Sequence, residues 1–178
     1  MNAQLDLGPW RIGVSNDVST YIVSSQGAPV YRSLVAEAPG LAQPTEIVVE
    51  VLHRISGMQP HALLAGTFQP TGDDRMRLDV VKGAAFDLSG PPIAGPLGLS
   101  ITVGLPPELA EAAAEGFVTA PAADPVPGGI FTIVGGAIDH DSSPMAFLRC
   151  GALLRVAMVA SASSSDPLPA MERLVGTW

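Results

Sequence analysis

One cysteine, nine basic residues and few aromatic side chains (two Trp, two Tyr, five Phe) in 178 residues exclude several kinds of protein. A lone Cys150 cannot form an internal disulfide, so a disulfide-stapled secreted scaffold is ruled out and a reducing, cytoplasmic setting is expected. Basic residues are scarce and unevenly placed. Arg11, Arg32, Arg54, Arg75, Arg77 and Lys82 lie in the first 82 residues, and the next is Arg149. The interval contains Glu108, Glu111, Glu115, Asp124, Asp139 and Asp141, within a formal net charge of −8. Nucleic-acid affinity comes from Lys and Arg neutralising phosphates, so DNA is excluded as a partner and ribosomal RNA is disfavoured. No long apolar run is unbroken either. Leu88 to Pro107 carries no charge after Asp87 but is broken by Pro91, Pro92 and Pro96, which makes a poor membrane span. Met1 to Trp10 has acidic Asp6 and no basic segment, so neither a signal peptide nor a membrane partner is expected.

Apolar residues make up 47% of the chain and the mean hydropathy is +0.35, enough for a packed core and against global disorder. Glycine (19) and proline (17) are dispersed, which implies short elements and many turns. Strands are expected at Trp10–Val14, Val18–Ser25 and Val30–Glu37, with a turn at Gln26-Gly27-Ala28-Pro29 and a loop bounded by Pro39-Gly40 and Pro44. Ile47, Val48, Val51, Leu52 and Ile55 make a helical stripe over Thr45–Ser56, with Thr45 as N-cap and Gly57 as stop. The β-branched content leaves a strand as the alternative.

His61–Phe68 and Arg75–Lys82 flank Gln69–Asp74, which reads as a hairpin loop; Met76, Leu78 and Val80 alternate as on a strand with one buried face. Leu97–Gly104 is a strand, Pro106 to about Thr119 a helix with acids in its early turns, and Gly129–Ile138 a strand. A long helix follows from Ser143 to about Ala160. Asp141, Ser142 or Ser143 would cap it, and Pro144 fits the first helical position. It is apolar almost all round, with only Arg149 and Arg155 charged, so it is either buried on several sides or shared with a partner. Ser161–Asp166 is a polar linker before a short helical turn at Pro169–Val175.

Two segments carry a resemblance. Leu105-Pro106-Pro107-Glu108, with Ala112, Gly116 and Phe117, is similar to the opening of the first helix of domain IV of elongation factor G. Asp141-Ser142-Ser143-Pro144-Met145-Ala146-Phe147, with Gly151, resembles the last helix of that domain. Gly129–Ile138 takes the place of the strand between them. The resemblance covers about Leu97 to Ala160. It implies an α+β chain of the ribosomal protein S5 domain 2-like fold, a βαβ sandwich with helices packed on one face of a mixed sheet. It also implies a core at 61–160, leaving 1–60 as an unassigned strand-rich extension or subdomain and 161–178 as a tail. No Gly-x-x-x-x-Gly-Lys-Ser/Thr loop is present, so the GTPase part of the family is missing.

In that family the domain's tip enters the ribosomal decoding region. The corresponding residues here are Gly135, Gly136, Asp139 and His140, with Asp73 and Asp74 in the place of the family's Gly-rich partner loop. They are the candidate partner-contact tip. The acidic replacement and Ile138 at the place of the family's His both weaken ribosomal contact.

No catalytic, cofactor or metal residues are assigned. Adjacent Asp139, His140, Asp141 and Ser142 cannot form a triad among themselves, because their side chains diverge. Backbone capping accounts for them. His53, His61, His140 and Cys150 lack metal-ligand spacing. Pro96-Leu97-Gly98-Leu99-Ser100 resembles the phosphate loop of the GHMP small-molecule kinases, but Ile101-Thr102-Val103 continues it as strand where that loop must open a helix. Glu108, Glu111 and Glu115 line one helix face as a solvated surface, the alternative being an acidic surface for a basic partner. Trp10 and Trp178 are either packing anchors or exposed contacts.

The sequence therefore points to a non-catalytic interaction module with a protein partner or self-association. A ribosome- or translation-associated factor is the first alternative, and a small-molecule enzyme of the broad superfamily the second.

Overall fold

The computed structural model describes residues 1–38, 42–121 and 125–178; the Pro39-Gly40 part of the expected loop and Asp124 lie outside them. The described chain is α+β. Nine strands are β1 (Asn2–Leu7), β2 (Trp10–Ser15), β3 (Val30–Val35), β4 (Thr45–His53), β5 (His61–Pro70), β6 (Arg75–Val80), β7 (Pro92–Ala94), β8 (Ser100–Val103) and β9 (Gly129–Ile138). Three helices are α1 (Pro107–Thr119), α2 (Pro144–Ala162) and α3 (Leu168–Val175). The strands form one sheet in the order β1-β2-β4-β5-β9-β6-β3, with β8 joining the far end of β9 and β7 pairing β8. The β6–β9 pair is parallel and the other pairs are antiparallel, so the sheet is mixed.

Residues expected to form a helix at Thr45–Ser56 form β4 instead. Val48 and Val49 are both fully buried, on opposite faces. A strand covered on both sides reads as a continuous apolar run, which imitates a helical stripe over one or two turns. The strand expected at Val18–Ser25 is a 3₁₀ turn (Ser19–Tyr21) followed by irregular chain. Asp17 fixes that turn, accepting hydrogen bonds from the hydroxyls of Ser19 (2.8 Å) and Thr20 (3.0 Å). Nothing in the sequence patterning predicts β1.

β5 and β6 are not a hairpin. β9 lies between them, antiparallel to β5 and parallel to β6, so Gln69–Asp74 crosses over the start of β9. The strands of residues 1–60 are built into this same sheet. β4 is zipped along β5 from Thr45↔Phe68 to Leu52↔His61, and β3 flanks β6.

Helices α1 and α2 cover one face. Their core includes Ile47, Val49, Val51, Ala62, Leu64, Phe68, Met76, Leu78, Phe131 and Ile133 from the sheet and Phe117, Phe147, Leu153 and Leu154 from the helices. α2 starts as expected: Ser143 is its N-cap, its Oγ accepting from the Ala146 amide at 3.3 Å, and Pro144 follows. By length and composition α2 is apolar enough to cross a membrane, but 72% of the relevant window is buried inside the fold. Gly116 and Gly151 let α1 and α2 cross closely. A Cβ on Gly116 would collide with the Leu148 carbonyl, and one on Gly151 with the Ala113 carbonyl.

The opposite face carries a second, smaller core: Val18, Tyr21, Val48, Leu63, Ala65, Ile101 and Ala137. The 3₁₀ segment and the β7–β8 hairpin lie over it. Ile22 bridges to Gly135, and the Tyr21 hydroxyl donates to the Ala94 carbonyl.

One irregularity decides which side chains meet on this face. The β5–β9 register slips by one residue between Ala65↔Gly135 and Gly66↔Ile133, leaving Val134 as a bulge. Beyond a bulge the alternation of faces reverses. Phe131 and Ile133 point to the helices, whereas Ala137, opposite Leu63, points away from them. Two residues on, Asp139 falls on that same far side, level with His61.

Candidate functional site

Glu50 is a carboxylate within the run Ile47–Leu52, at the middle of β4, and it is fully buried. His61 begins β5 and is 2% exposed. The two are on the far face, in the diagonal relation that lets long side chains touch across strands. His61 Nε2 is 2.8 Å from Glu50 Oε1, and His61 Nδ1 is 2.5 Å from Asp139 Oδ2. An imidazolium therefore bridges two carboxylates. The second Glu50 oxygen accepts the Leu97 amide at 2.5 Å, at the tip of the β7–β8 hairpin. Gly95 leaves room for that carboxylate, since a Cβ there would come within 2.5 Å of it.

Burial alone would lower the His61 pKa. The hydrogen bonds and charges of Asp139 and Glu50 outweigh it and hold the ring at about 9. Asp139 is also shifted: burial pushes its carboxyl up, and the bond and charge of His61 more than reverse this, so the net direction is down. Its other oxygen, Oδ1, accepts from the Asp141 amide (2.9 Å) and the Ser142 hydroxyl (3.3 Å), while its own amide donates to Ser142 Oγ at 3.0 Å. The chain Leu97–Glu50–His61–Asp139–Ser142 thus ties the β7–β8 hairpin to the turn that launches α2.

This arrangement is closed to general base catalysis. Both ring nitrogens face carboxylates, and Ser142 meets Asp139 rather than the imidazole, so no nitrogen of His61 is placed to take its proton. The two nitrogens also point in opposite directions, so a single ion cannot collect Glu50, His61 and Asp139. Among the described residues no group of three or more His, Cys, Asp or Glu is arranged to hold a metal. Cys150 is fully buried. Burial pushes its thiol strongly up, and its Sγ–H donates to the Val49 carbonyl at 3.3 Å.

The residues of the expected partner-contact tip are dispersed. Gly135 and Gly136 are buried within β9, where the Tyr21 and Leu63 carbonyls approach them too closely for a side chain. Asp139 points inward to His61. His140 is exposed beside it. Asp73 and Asp74 are exposed at the other end of β9, where the Asp73 carbonyl abuts Gly128, roughly 30 Å of strand away. Of the acidic face of α1, Glu108 and Glu115 are exposed and Glu111 pairs with Arg32 at 3.1 Å.

A second cluster joins residues that are distant in sequence. Trp10 and His53 are register partners on β2 and β4, and their rings stack in parallel at 3.6 Å. Arg149 of α2 lies over Trp10 at 4.9 Å and over Trp178 at 5.7 Å, and its Nη1 donates to His53 Nδ1 at 3.3 Å. Partial burial and the charge of Arg149 both lower the His53 pKa. Accepting from Arg149 at Nδ1 assigns the ring proton to Nε2. Trp10 is thereby a buried anchor, whereas Trp178 is 41% exposed. The β4–β5 turn lies alongside: the Arg54 amide donates to the Pro9 carbonyl, and Ile55 and Met58 bond each other through their backbones. Ile55, Met58 and Met145 are exposed, and Met145 sits one turn before Arg149 on the same side of α2.

No protein-family model, curated protein or solved structure matches this chain. The sequence did not single out Glu50 or pair His61 with a carboxylate. The available signal was a lone Glu in an otherwise apolar β-branched run, which in a buried strand demands a partner.

Proposed function

We propose that this chain is a non-catalytic, cytoplasmic protein-interaction module on an elongation factor G domain IV-like scaffold of the ribosomal protein S5 domain 2-like type. Its contact surface is the end of the molecule bearing Trp178, Arg149, Met145, Ile55 and Met58. The observation that carries this reading is where large apolar side chains meet water. Of the nine exposed among the described residues, Trp178 packs against Trp10 and Arg149, Met145 lies one turn before Arg149 on α2, and Ile55 and Met58 lie on the turn that follows His53. Exposed apolar groups concentrated in one place mark a contact surface more often than scattered ones do. His61 and Cys150 are meanwhile committed inside the fold.

The scaffold reading is supported by the order α1–β9–α2, by the Ser143 cap, and by the reciprocal glycine contact of the two helices. Gly116 and Gly151 are the glycines of the two resembling segments. The single buried, unpaired thiol suits a reducing compartment.

Site-specific photo-crosslinking in the cell that makes the protein tests the proposal. A benzophenone side chain at Met58 or Met145 should yield protein adducts, and one at Asp73, at the opposite end of β9, should not. Absence of adducts from all three positions rejects the module reading.

A further inference from the structure

The chemistry of the Trp178 end specifies its partner, on the footing of the interaction-module reading above. The charged side chain of the Trp10–His53–Arg149–Trp178 stack is a cation. Arg149 has no carboxylate within ion-pair distance among the described residues, nor does Arg54, which is exposed next to His53. Arg11, Arg32 and Arg77, by contrast, are each held by an acid. His53 has its Nδ1 occupied by Arg149, which leaves Nε2–H as a donor. Arg149 is pre-positioned, because two indole faces and an imidazole fix its plane, so little side-chain entropy remains to be lost on binding.

A chain with net charge −8 thus displays, at one end, two cations with no acid in ion-pair distance among the described residues, Arg54 beside Ile55 and Met58 on the β4–β5 turn and Arg149 beside Trp178 and one turn after Met145. A basic partner would leave those cations unpaired. A purely apolar one would bury the remaining N–H groups of Arg149 without acceptors, at the cost of their desolvation.

We infer that the Trp10–His53–Arg149–Trp178 end is a docking surface for an acidic segment of another protein with interspersed large apolar side chains. A carboxylate of the segment pairs with Arg149 and accepts from His53 Nε2–H, a second pairs with Arg54, and its apolar residues cover Met58, Met145 and Trp178. Aromatic and Arg anchors of this kind dominate the energetics of protein interfaces.

The test uses the full chain and three probes: a fluorescein-labelled 14-residue peptide of Glu, Asp, Leu and Trp, the same peptide with Lys for every acid, and a polyuridine 12-mer. Binding is read by anisotropy and by the indole N–H resonances of Trp10 and Trp178. The acidic peptide should bind at least about tenfold tighter than the Lys peptide at low salt, weaken several-fold near 0.3 M salt, and move the Trp178 indole signal. Arg54→Gln and Arg149→Gln should each weaken it about fivefold or more. Arg54 is exposed, so Arg54→Gln keeps the test decisive where Arg149→Gln impairs folding.

Equal binding of the two peptides, binding unaffected by Arg54→Gln, or no binding of the acidic peptide overturns the inference. So does binding of polyuridine alone, which assigns the surface to nucleic acid. Self-association that Arg54→Gln abolishes also overturns it, by assigning the surface to a second copy. Adducts from Met58 without acidic-peptide binding would sink this inference and leave the module reading standing; absence of adducts sinks the latter by itself.

Discussion

Glu50 and His61 meet across adjacent strands, Oε1 2.8 Å from Nε2, on the sheet face opposite the helices and closed to water. Neither residue could be buried there alone. An unpaired charge in a low-dielectric interior costs several kcal/mol, and here the imidazolium is matched by two carboxylates while Leu97 satisfies the remaining oxygen. The arrangement holds three separate segments together: the middle of β4, the tip of the β7–β8 hairpin and the turn before α2.

Stability should fall on the alkaline side because of His61. Its folded pKa of about 9 lies above the ordinary 6.5, so its contribution is complete below about pH 6.5 and is lost as pH rises through about 9. The difference corresponds to about 3 kcal/mol between neutral and strongly alkaline solution. Urea midpoints at pH 7 and pH 10 should show this drop in the native protein and a much smaller one in His61→Gln. An equal pH dependence in the two would disprove the charged, doubly bonded imidazole.

Removing the carboxylate at position 50 should separate its two roles. Glu50→Ala leaves His61 Nε2–H and the Leu97 amide without acceptors, and breaking a buried pair of this type costs about 3–5 kcal/mol. Glu50→Gln keeps an acceptor, so Leu97 should retain more protection from amide hydrogen exchange than in Glu50→Ala. Identical exchange at Leu97 in both variants and in the native chain would show that Glu50 does not anchor the hairpin.

These two expectations could not have come from the sequence, whereas much of the helical side of the fold could. Pro107, Pro144 and Ser143 act locally, through φ and capping, and α1, β9 and α2 lie close to where those residues place them. β4 misled because burial on both faces erases the alternation that distinguishes strand from helix. The pairing of β9 between β5 and β6 is a long-range choice that no local signal encodes. The site was hidden by the bulge at Val134: without the extra residue Asp139 would share a face with Ile133, and its contact with His61 depends on that one-residue slip. Trp10 was legible as an anchor or a contact, but its stacking partner His53 follows only from the β2–β4 register.

The helix crossing gives a steric prediction. Gly151→Ala would drive a methyl group into the Ala113 carbonyl and toward the Phe117 amide, and backbone cannot give way as a flexible side chain would. Overpacking of this sort costs about 1–3 kcal/mol or more. Thermal unfolding should show a lowered midpoint. Gly176→Ala is the control: a Cβ there would meet nothing nearer than 3.5 Å, so its midpoint should move little. Similar midpoints for the two variants would refute the close crossing.

Arg155 supplies the remaining test, because it closes a helix to which it does not belong. From α2 its Nη1 reaches the carbonyls of Phe117 (3.2 Å), Val118 (2.9 Å) and Ala120 (3.2 Å), where α1 has no basic residue in its last turn. A cation at this negative end of the helix dipole satisfies carbonyls that the helix itself leaves open. Arg155→Met preserves much of the buried stem and removes the donors, so the loss isolates polar capping from packing. The expected cost is about 2–4 kcal/mol, since the bonds are charge-assisted and the side chain is 6% exposed. Hydrogen exchange should accelerate in the last turn of α1 before it does in α2. If the variant instead lowers protection in α2 first, Arg155 acts chiefly by filling space on its own helix.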